Sequence, residues 1–330
     1  MLTLSNVTKR YGSKLAVDDI SFHISKGQIV GFLGVNGAGK TTTMNIITGY
    51  ISASQGSVEV DGYDIMTEPN QAKSLIGYLP EQPPLYPDFT VDESLKFIYA
   101  LKKVKLDRKK HLDEVCEQTH IQDVRRRLTR NLSKGYKQRL GLALSLIGDP
   151  PILVLDEPTI GLDPVQIIEI RNLIKELSGT HTVLLSSHIL QEIQAVANRI
   201  ILIHHGSLIA DDTAENLIRR IKNPNHTIQF QLTGDKEKNL QLLRSVKGVL
   251  SLNAVENEKG LCTYTLEVDN PDLRKEMFFM QVGSKHIPLI ELRSPQMTLE
   301  DAFIALTTSA KTNQSALTEN RKKSVKEKIQ

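Results

Sequence analysis

The chain has 330 residues, 40% of them apolar and 24% charged, the make-up of a globular protein long enough for two domains. Its 41 Lys/Arg and 38 Asp/Glu give a net charge of +3, and residues 309–330 alone hold six of those cations against two anions. The remainder is near neutral, which argues against a basic nucleic-acid surface, and no apolar run approaches the roughly 18 residues of a membrane span.

Cys116 and Cys262 stand far apart without a C-x-x-C partner, which fits a reduced cytosolic compartment. The opening MLTLSNVTKRYG lacks the apolar core of a signal peptide. Leu2 to Leu33 reads as several strands, with turns at Tyr11-Gly12-Ser13 and Ser25-Lys26-Gly27. Tyr11 in the first turn has two readings, a half-buried turn residue or a ring that stacks on a base. The last strand of this stretch, Gln28 to Leu33, is short and apolar.

Gly34 to Thr42, GVNGAGKTT, follows it. The segment fits G-x-x-x-x-G-K-[ST], and it has the required context of a strand before and a helix after, from Thr41 to Ile47. Gly34, Gly37 and Gly39 let the backbone through Val35, Asn36 and Ala38 curl, so that N–H groups point inward at phosphate oxygens. The helix start at Lys40, Thr41 and Thr42 adds the positive end of its dipole. The Lys40 ammonium reaches the β- and γ-phosphates, and the Thr41 hydroxyl is a hard oxygen suited to Mg²⁺.

Downstream, Gly56 to Gly62 alternates like a strand closed by an Asp-Gly turn, and Leu75 to Leu79 is a further short strand. Pro80 to Pro84 is a rigid loop whose Glu81 or Gln82 either reaches a γ-phosphate and its water or belongs to a plain connector. Thr90 to Glu93 is a capping box opening a helix over 91–104, and 107–121 makes a second helix. The Arg125-Arg126-Arg127 run reads as a solvated helix end. Ser133 caps a helix that runs to Ile147.

Four apolar residues, Ile152 to Leu155, then deliver Asp156 and Glu157. This is the pattern of a buried parallel strand carrying acids at its carboxyl end. Asp156 suits Mg²⁺, and Glu157 suits a general base or the positioning of a water that attacks a γ-phosphate. Asp163 is a helix N-cap followed by Pro164. A strand over 182–186 leads to Ser187-His188 at the same active edge. Residues 199–204 and 207–210 form a hairpin around Gly206, which makes His204-His205 a strand end rather than a metal site, and 213–222 is helical.

Asn223-Pro224-Asn225 reads as a linker. Beyond it, strands are expected over 227–232, 250–255, 261–268 and 287–292, with helices over 240–246 and 272–282. A last helix, capped by Thr298, runs to Thr308. The expected domains are therefore 1–222, with a helical subdomain at about 88–150, then a small α+β domain over 223–308. The basic stretch 309–330 is expected to be disordered.

The ordered set of motifs resembles the ATP-binding cassette (ABC) ATPases over residues 2–222. GVNGAGKT is similar to Walker A, LSKGYKQR to the ABC signature, ILVLDEP to Walker B and GLD to the D-loop, with His188 as the switch histidine and Tyr11 as the adenine-stacking aromatic. The segments IGYLPEQPPLYP, LSKGYKQRLGLA and LEDAFI resemble the subfamily serving type-2 exporters of the gliding-motility and multidrug-export kind. The resemblance implies an α/β P-loop fold with a mixed parallel sheet, an antiparallel β subdomain and a helical subdomain. It also implies ATP and Mg²⁺ as ligands, with Glu157 and His188 catalytic and Thr41, Asp156 and Glu81 or Gln82 at the metal. Ser133 and Gly135 would close on the ATP of an opposite subunit, in a homodimer or heterodimer. A separate transmembrane permease would be driven from the cytoplasmic face of the cell membrane, with only indirect membrane contact and no nucleic acid. The alternative is a soluble ABC ATPase acting on nucleic acid or ribosomes. Two departures stand out: Lys134 and Tyr136 replace residues of the usual LSGGQ signature, and Glu81 falls where a glutamine usually sits, with Gln82 next to it.

Overall fold

The computed structural model describes residues 1–220, 226–245, 248–256, 261–268, 289–293 and 298–308. The expected linker at 223–225, the helix at 272–282 and the tail at 309–330 lie outside them. The chain divides into two compact units, one built on Met1–Leu217 and one on Ile218–Ala302.

The first unit opens with β1 (Leu2–Tyr11), β2 (Lys14–Ile24) and β3 (Ile29–Leu33). β1 and β2 form an antiparallel hairpin that joins β4 (Gln55–Val60) and β5 (Tyr63–Asp64) in a sheet of order β2-β1-β4-β5. The main sheet has the order β10-β9-β3-β8-β7-β6, where β6 is Ile76–Leu79, β7 Ile152–Asp156, β8 Thr182–Ser187, β9 Arg199–His204 and β10 Ser207–Asp212. Only the β9–β10 pair is antiparallel; β9, β3, β8, β7 and β6 run side by side in one direction. Parallel strands are covered on both faces, which is why β3, β7 and β8 carry no exposed residue. The same direction brings the carboxyl ends of Leu33, Leu79, Asp156 and Ser187 to one edge. Leu2, Ile20, Phe32, Met44, Val154, Leu184 and Ile203 share the core between this sheet and the antiparallel one.

Helix α1 (Lys40–Ile47) follows the glycine loop. A short helix, α2 (Pro69–Ser74), precedes β6 and escaped the sequence reading because it spans only six residues. Helix α3 (Val91–Leu101) starts at a complete capping box: Glu93 N donates to Thr90 Oγ1, and Thr90 N donates to the Glu93 carboxylate. Helix α4 (Arg108–Gln118) is capped by Asp107, and α5 (Lys134–Leu146) by Ser133. The carboxyl end of α5 is closed by side chains from the other two. Lys102 Nζ donates to Ile147 O at 2.8 Å, and Gly148 N donates to His111 Nε2 at 3.0 Å. Burial pushes Lys102 down to about 8 and moves His111 below its ordinary value.

In the arginine run Arg126 and Arg127 are exposed as expected, and Arg125 departs from the solvated reading. Arg125 Nε donates to Asp92 at 2.8 Å and its Nη1 is bonded to Asp113, tying the segment after α4 to α3 and α4. The sequence reading missed this because the two acids lie 33 and 12 residues away.

Helices α6 (Pro164–Leu177) and α7 (Leu190–Val196) flank β8 in sequence, and α8 (Ala214–Arg220) follows β10. In the second unit, β11 (His226–Leu232), β12 (Val249–Glu256), β13 (Cys262–Val268) and β14 (Leu289–Arg293) form an antiparallel sheet of order β12-β13-β11-β14. Helix α9 (Lys236–Arg244) starts four residues before the expected start and is capped by Asp235, whose carboxylate accepts from Glu237 N and Lys238 N. Phe230, Leu243, Tyr264 and Leu266 form this unit's buried core. Residues 299–308 are helical, with Asp301 N donating to Thr298 Oγ1.

Candidate nucleotide site

The glycine loop leaves β3 at Leu33 and turns into α1. Gly39 holds φ +112°, and a β-carbon there would lie 2.6 Å from Ala16 O, so only glycine fits. A side chain at Gly34 would meet Ile203 O at 2.5 Å. The β1–β2 hairpin is thus pressed on the loop through Ala16. Tyr11 stands at the turn of that hairpin, 49% exposed, with Lys9 Nζ 5.3 Å from its ring centre. Val35, Asn36 and Gly37 are exposed at the crest of the loop, while Ala38 is buried.

Lys40 is 6% exposed and folds back into the loop. Its Nζ donates to Gly34 O at 2.8 Å and lies 3.2 Å from Glu157 Oε1. Glu157 is itself 5% exposed and sits at φ +49°, a conformation uncommon outside glycine. Its other oxygen, Oε2, is 2.8 Å from His188 Nδ1. Lysine, carboxylate and imidazole therefore form a continuous chain across three strand ends.

Asp156 lies one residue before Glu157. Ser186 Oγ donates to Asp156 Oδ1 at 2.5 Å and accepts from Glu157 N at 2.9 Å. Ser186 had no role in the sequence reading; its only signal was a hydroxyl ending an otherwise apolar strand. Burial raises the Asp156 carboxyl above its usual range, against the lowering effect of the Ser186 and Thr41 hydroxyls. Asp156 Oδ2 is buried without a hydrogen-bond partner among the described residues. An orphaned carboxylate oxygen near the Thr41 hydroxyl is a fitting pair of hard ligands for Mg²⁺. No cluster of three His, Cys, Asp or Glu side chains suited to a metal occurs among the described residues.

A cavity of about 950 Å³ runs from Thr41 and Asp156 to Glu81 and Gln82. Helix α5 packs on its wall, because a side chain at Gly141 would strike Leu79 and Pro83 at under 3 Å. Both candidate loop residues line it. Thr42 is half-buried in the first turn of α1.

The signature residues lie elsewhere in the unit. Ser133 caps α5 by accepting from Tyr136 N, and Gly135 is buried against the Gln166 side chain. Lys134 reaches over Gly161, and Asp163 caps α6 by accepting from Gln166 N at 2.9 Å. No hydrogen bond joins Ser133 or Gly135 to Lys40, Asp156 or Glu157 among the described residues.

Residues 17–160 match the model of the family described as ABC transporter. The bacitracin transport ATP-binding protein BcrA of Bacillus licheniformis is 36% identical over 308 residues, 93% of this chain and 97% of that one. The chain belongs to the ABC transporter ATP-binding proteins. The linearmycin resistance ATP-binding protein LnrL of Bacillus subtilis is 33% identical, over 93% of this chain and 98% of its own length. Among solved structures, the dimeric bacterial ABC transporter cassette MJ0796 is 26% identical with a TM-score of 0.59, matching 64% of this chain and 98% of that one. The same cassette has been solved after hydrolysis with ADP and Pi. As an ABC cassette, the chain is an ATP-binding and ATP-hydrolysing subunit of a transporter, and the family match decides for that reading over the nucleic-acid one. No helix among the described residues is long and apolar enough to cross a membrane.

Proposed function

We propose that this subunit is the engine of an export system, in which two cassettes close around two ATP and drive a permease on another chain. The observation that carries the reading is the chain Lys40–Glu157–His188, its lysine and carboxylate buried and its imidazole open to solvent, at the edge where β3, β7 and β8 end. BcrA and LnrL, named for bacitracin transport and linearmycin resistance, support export as the direction of work. The dimeric MJ0796 cassette supports pairing. With the permease in the membrane, this chain works from the cytoplasmic face.

The roles follow from chemistry. The backbone from Gly34 to Thr42 cradles the phosphates, and Lys40 neutralises the terminal ones. Tyr11 offers its ring to the adenine. Thr41 and Asp156 would hold Mg²⁺, helped by Glu81 or Gln82 from the cavity wall, and the ion would supply neutralisation of phosphate charge. Glu157 takes the proton of the attacking water, and His188, bonded to Glu157, orients that carboxylate and faces the γ-phosphate. Ser133 is exposed at the start of α5, with Gly135 buried just behind it, and there they complete the site of a second copy. Asp163 holds the segment against which Gly135 packs.

The test is Glu157→Gln. ATP binding should persist, turnover should fall about 100-fold or more, and an ATP-bound dimer should accumulate. Ordinary turnover by this variant would refute the assignment. Gentle solubilisation of membranes should bring a polytopic partner with the cassette.

A further inference from the structure

Glu192, in the first turn of α7, is 4% exposed, and no ion pair to it occurs among the described residues. Burying a carboxylate without a cation is costly unless donors meet it. Here two hydroxyls do so at a single oxygen: Thr159 Oγ1 donates to Glu192 Oε2 at 2.6 Å, and Ser187 Oγ donates to it at 2.9 Å. Both donors are buried, at 6% and 1% exposure. Ser187 Oγ is oriented in turn by accepting from Ile189 N at 3.0 Å.

The places of the two donors in the chain matter. Thr159 lies two residues after Glu157, and Ser187 lies one residue before His188. The β7–β8 ladder ends at the pair Asp156–Ser186, so past that point no strand pairing holds the two exits together. Glu192 bridges them there. It also rides on a fixed support, because the neighbouring Ile193 packs directly on Gly31 of β3, where any β-carbon would lie 2.3 Å from it. The carboxylate is thus tied to β7, β8 and β3 together.

We propose that Glu192 is a positioning residue for ATP hydrolysis, a clamp that sets the Glu157–His188 pair by joining the chain just past the first to the chain just before the second. This rests on the assignment of Glu157 and His188 above. Among the described residues the Glu192 carboxylate bonds to Thr159 and Ser187, neither of them assigned to the nucleotide, so its loss should change the rate of the chemical step rather than the hold on ATP. A reacting pair misplaced by a fraction of an ångström loses rate steeply.

The decisive variant is Thr159→Val, which keeps the side-chain shape and removes one hydroxyl. In the full-length chain, kcat should fall about tenfold while KM for ATP stays within about twofold. Glu192→Ala should lose at least as much, and Glu192→Gln, which keeps an acceptor oxygen, should recover at least about half of the wild-type rate. In a His188→Ala background, Thr159→Val should cost less than about twofold, because the Glu157–His188 contact it sets is already broken. An equal loss in both backgrounds would mark the network as merely structural and overturn the proposal, as would a raised KM with unchanged kcat. If Glu157→Gln is inactive while Thr159→Val and Glu192→Ala turn over normally, this proposal alone fails. If Glu157→Gln turns over normally, the site assignment fails with it.

Discussion

The two units of this chain solve different problems with the same materials. In the first, parallel strands deliver Leu33, Leu79, Asp156 and Ser187 to one edge, and buried polar groups collect there. In the second, an antiparallel sheet alternates side chains on β13 and buries Tyr264, Leu266 and Val268 in an apolar core. Neighbouring antiparallel strands end at opposite edges, so no single edge collects every carboxyl terminus. The contrast teaches that chemistry in this protein follows strand direction. Buried Lys40, Asp156, Glu157 and Glu192 belong to the parallel unit, whereas among the described residues of the second unit a buried polar contact joins Asn239 Nδ2 to Tyr264 Oη at 3.3 Å.

The comparison can be attacked where it predicts most. Lys40→Ala removes a charge-assisted contact to phosphate and strands Glu157, so ATP affinity should drop by about a hundredfold; equilibrium binding measures it. Phe32→Ala and Phe230→Ala empty comparable core sites, and each should cost about 3–5 kcal/mol in denaturant unfolding. Only Phe32→Ala should also weaken ATP binding, because β3 carries the glycine loop; an equal effect from Phe230→Ala would break the contrast. Asp163→Ala should cost about 1 kcal/mol of stability through the lost N-cap of α6.

The smallest expected effect is a pH dependence. His111 is held below its ordinary value of about 6.5 by burial, and in the fold it accepts from Gly148 N. Below that value the unfolded chain binds a proton that the folded chain does not. The stability is therefore fully present above about pH 6.5 and declines as pH falls from there to the folded value. His111→Gln should flatten this decline in urea titrations across pH 5–7.

Much of the site was legible because its parts are short and local. The glycine loop, the Asp156-Glu157 pair and His188 each announce themselves by residue type at a strand end. The capping boxes at Thr90 and Thr298 are equally local. What escaped was non-local. Arg125 finds its acids through tertiary packing, and Ser186 gains meaning only when β7 is laid beside it. Glu192 sits in a helix of only seven residues, Leu190–Val196, beside the apolar Ile193 that its spacing does single out. Its partners are 33 and five residues away, and no spacing rule links them.

The contact between Lys40 and Glu157 changes what an affinity measured on this protein means. The ammonium already has a companion anion, so an arriving phosphate enters by substitution, and the observed binding constant reports a contest between two ligands for one cation. The loser of that contest is Glu157, so under the role proposed for that carboxylate, occupancy and readiness would arise in a single swap.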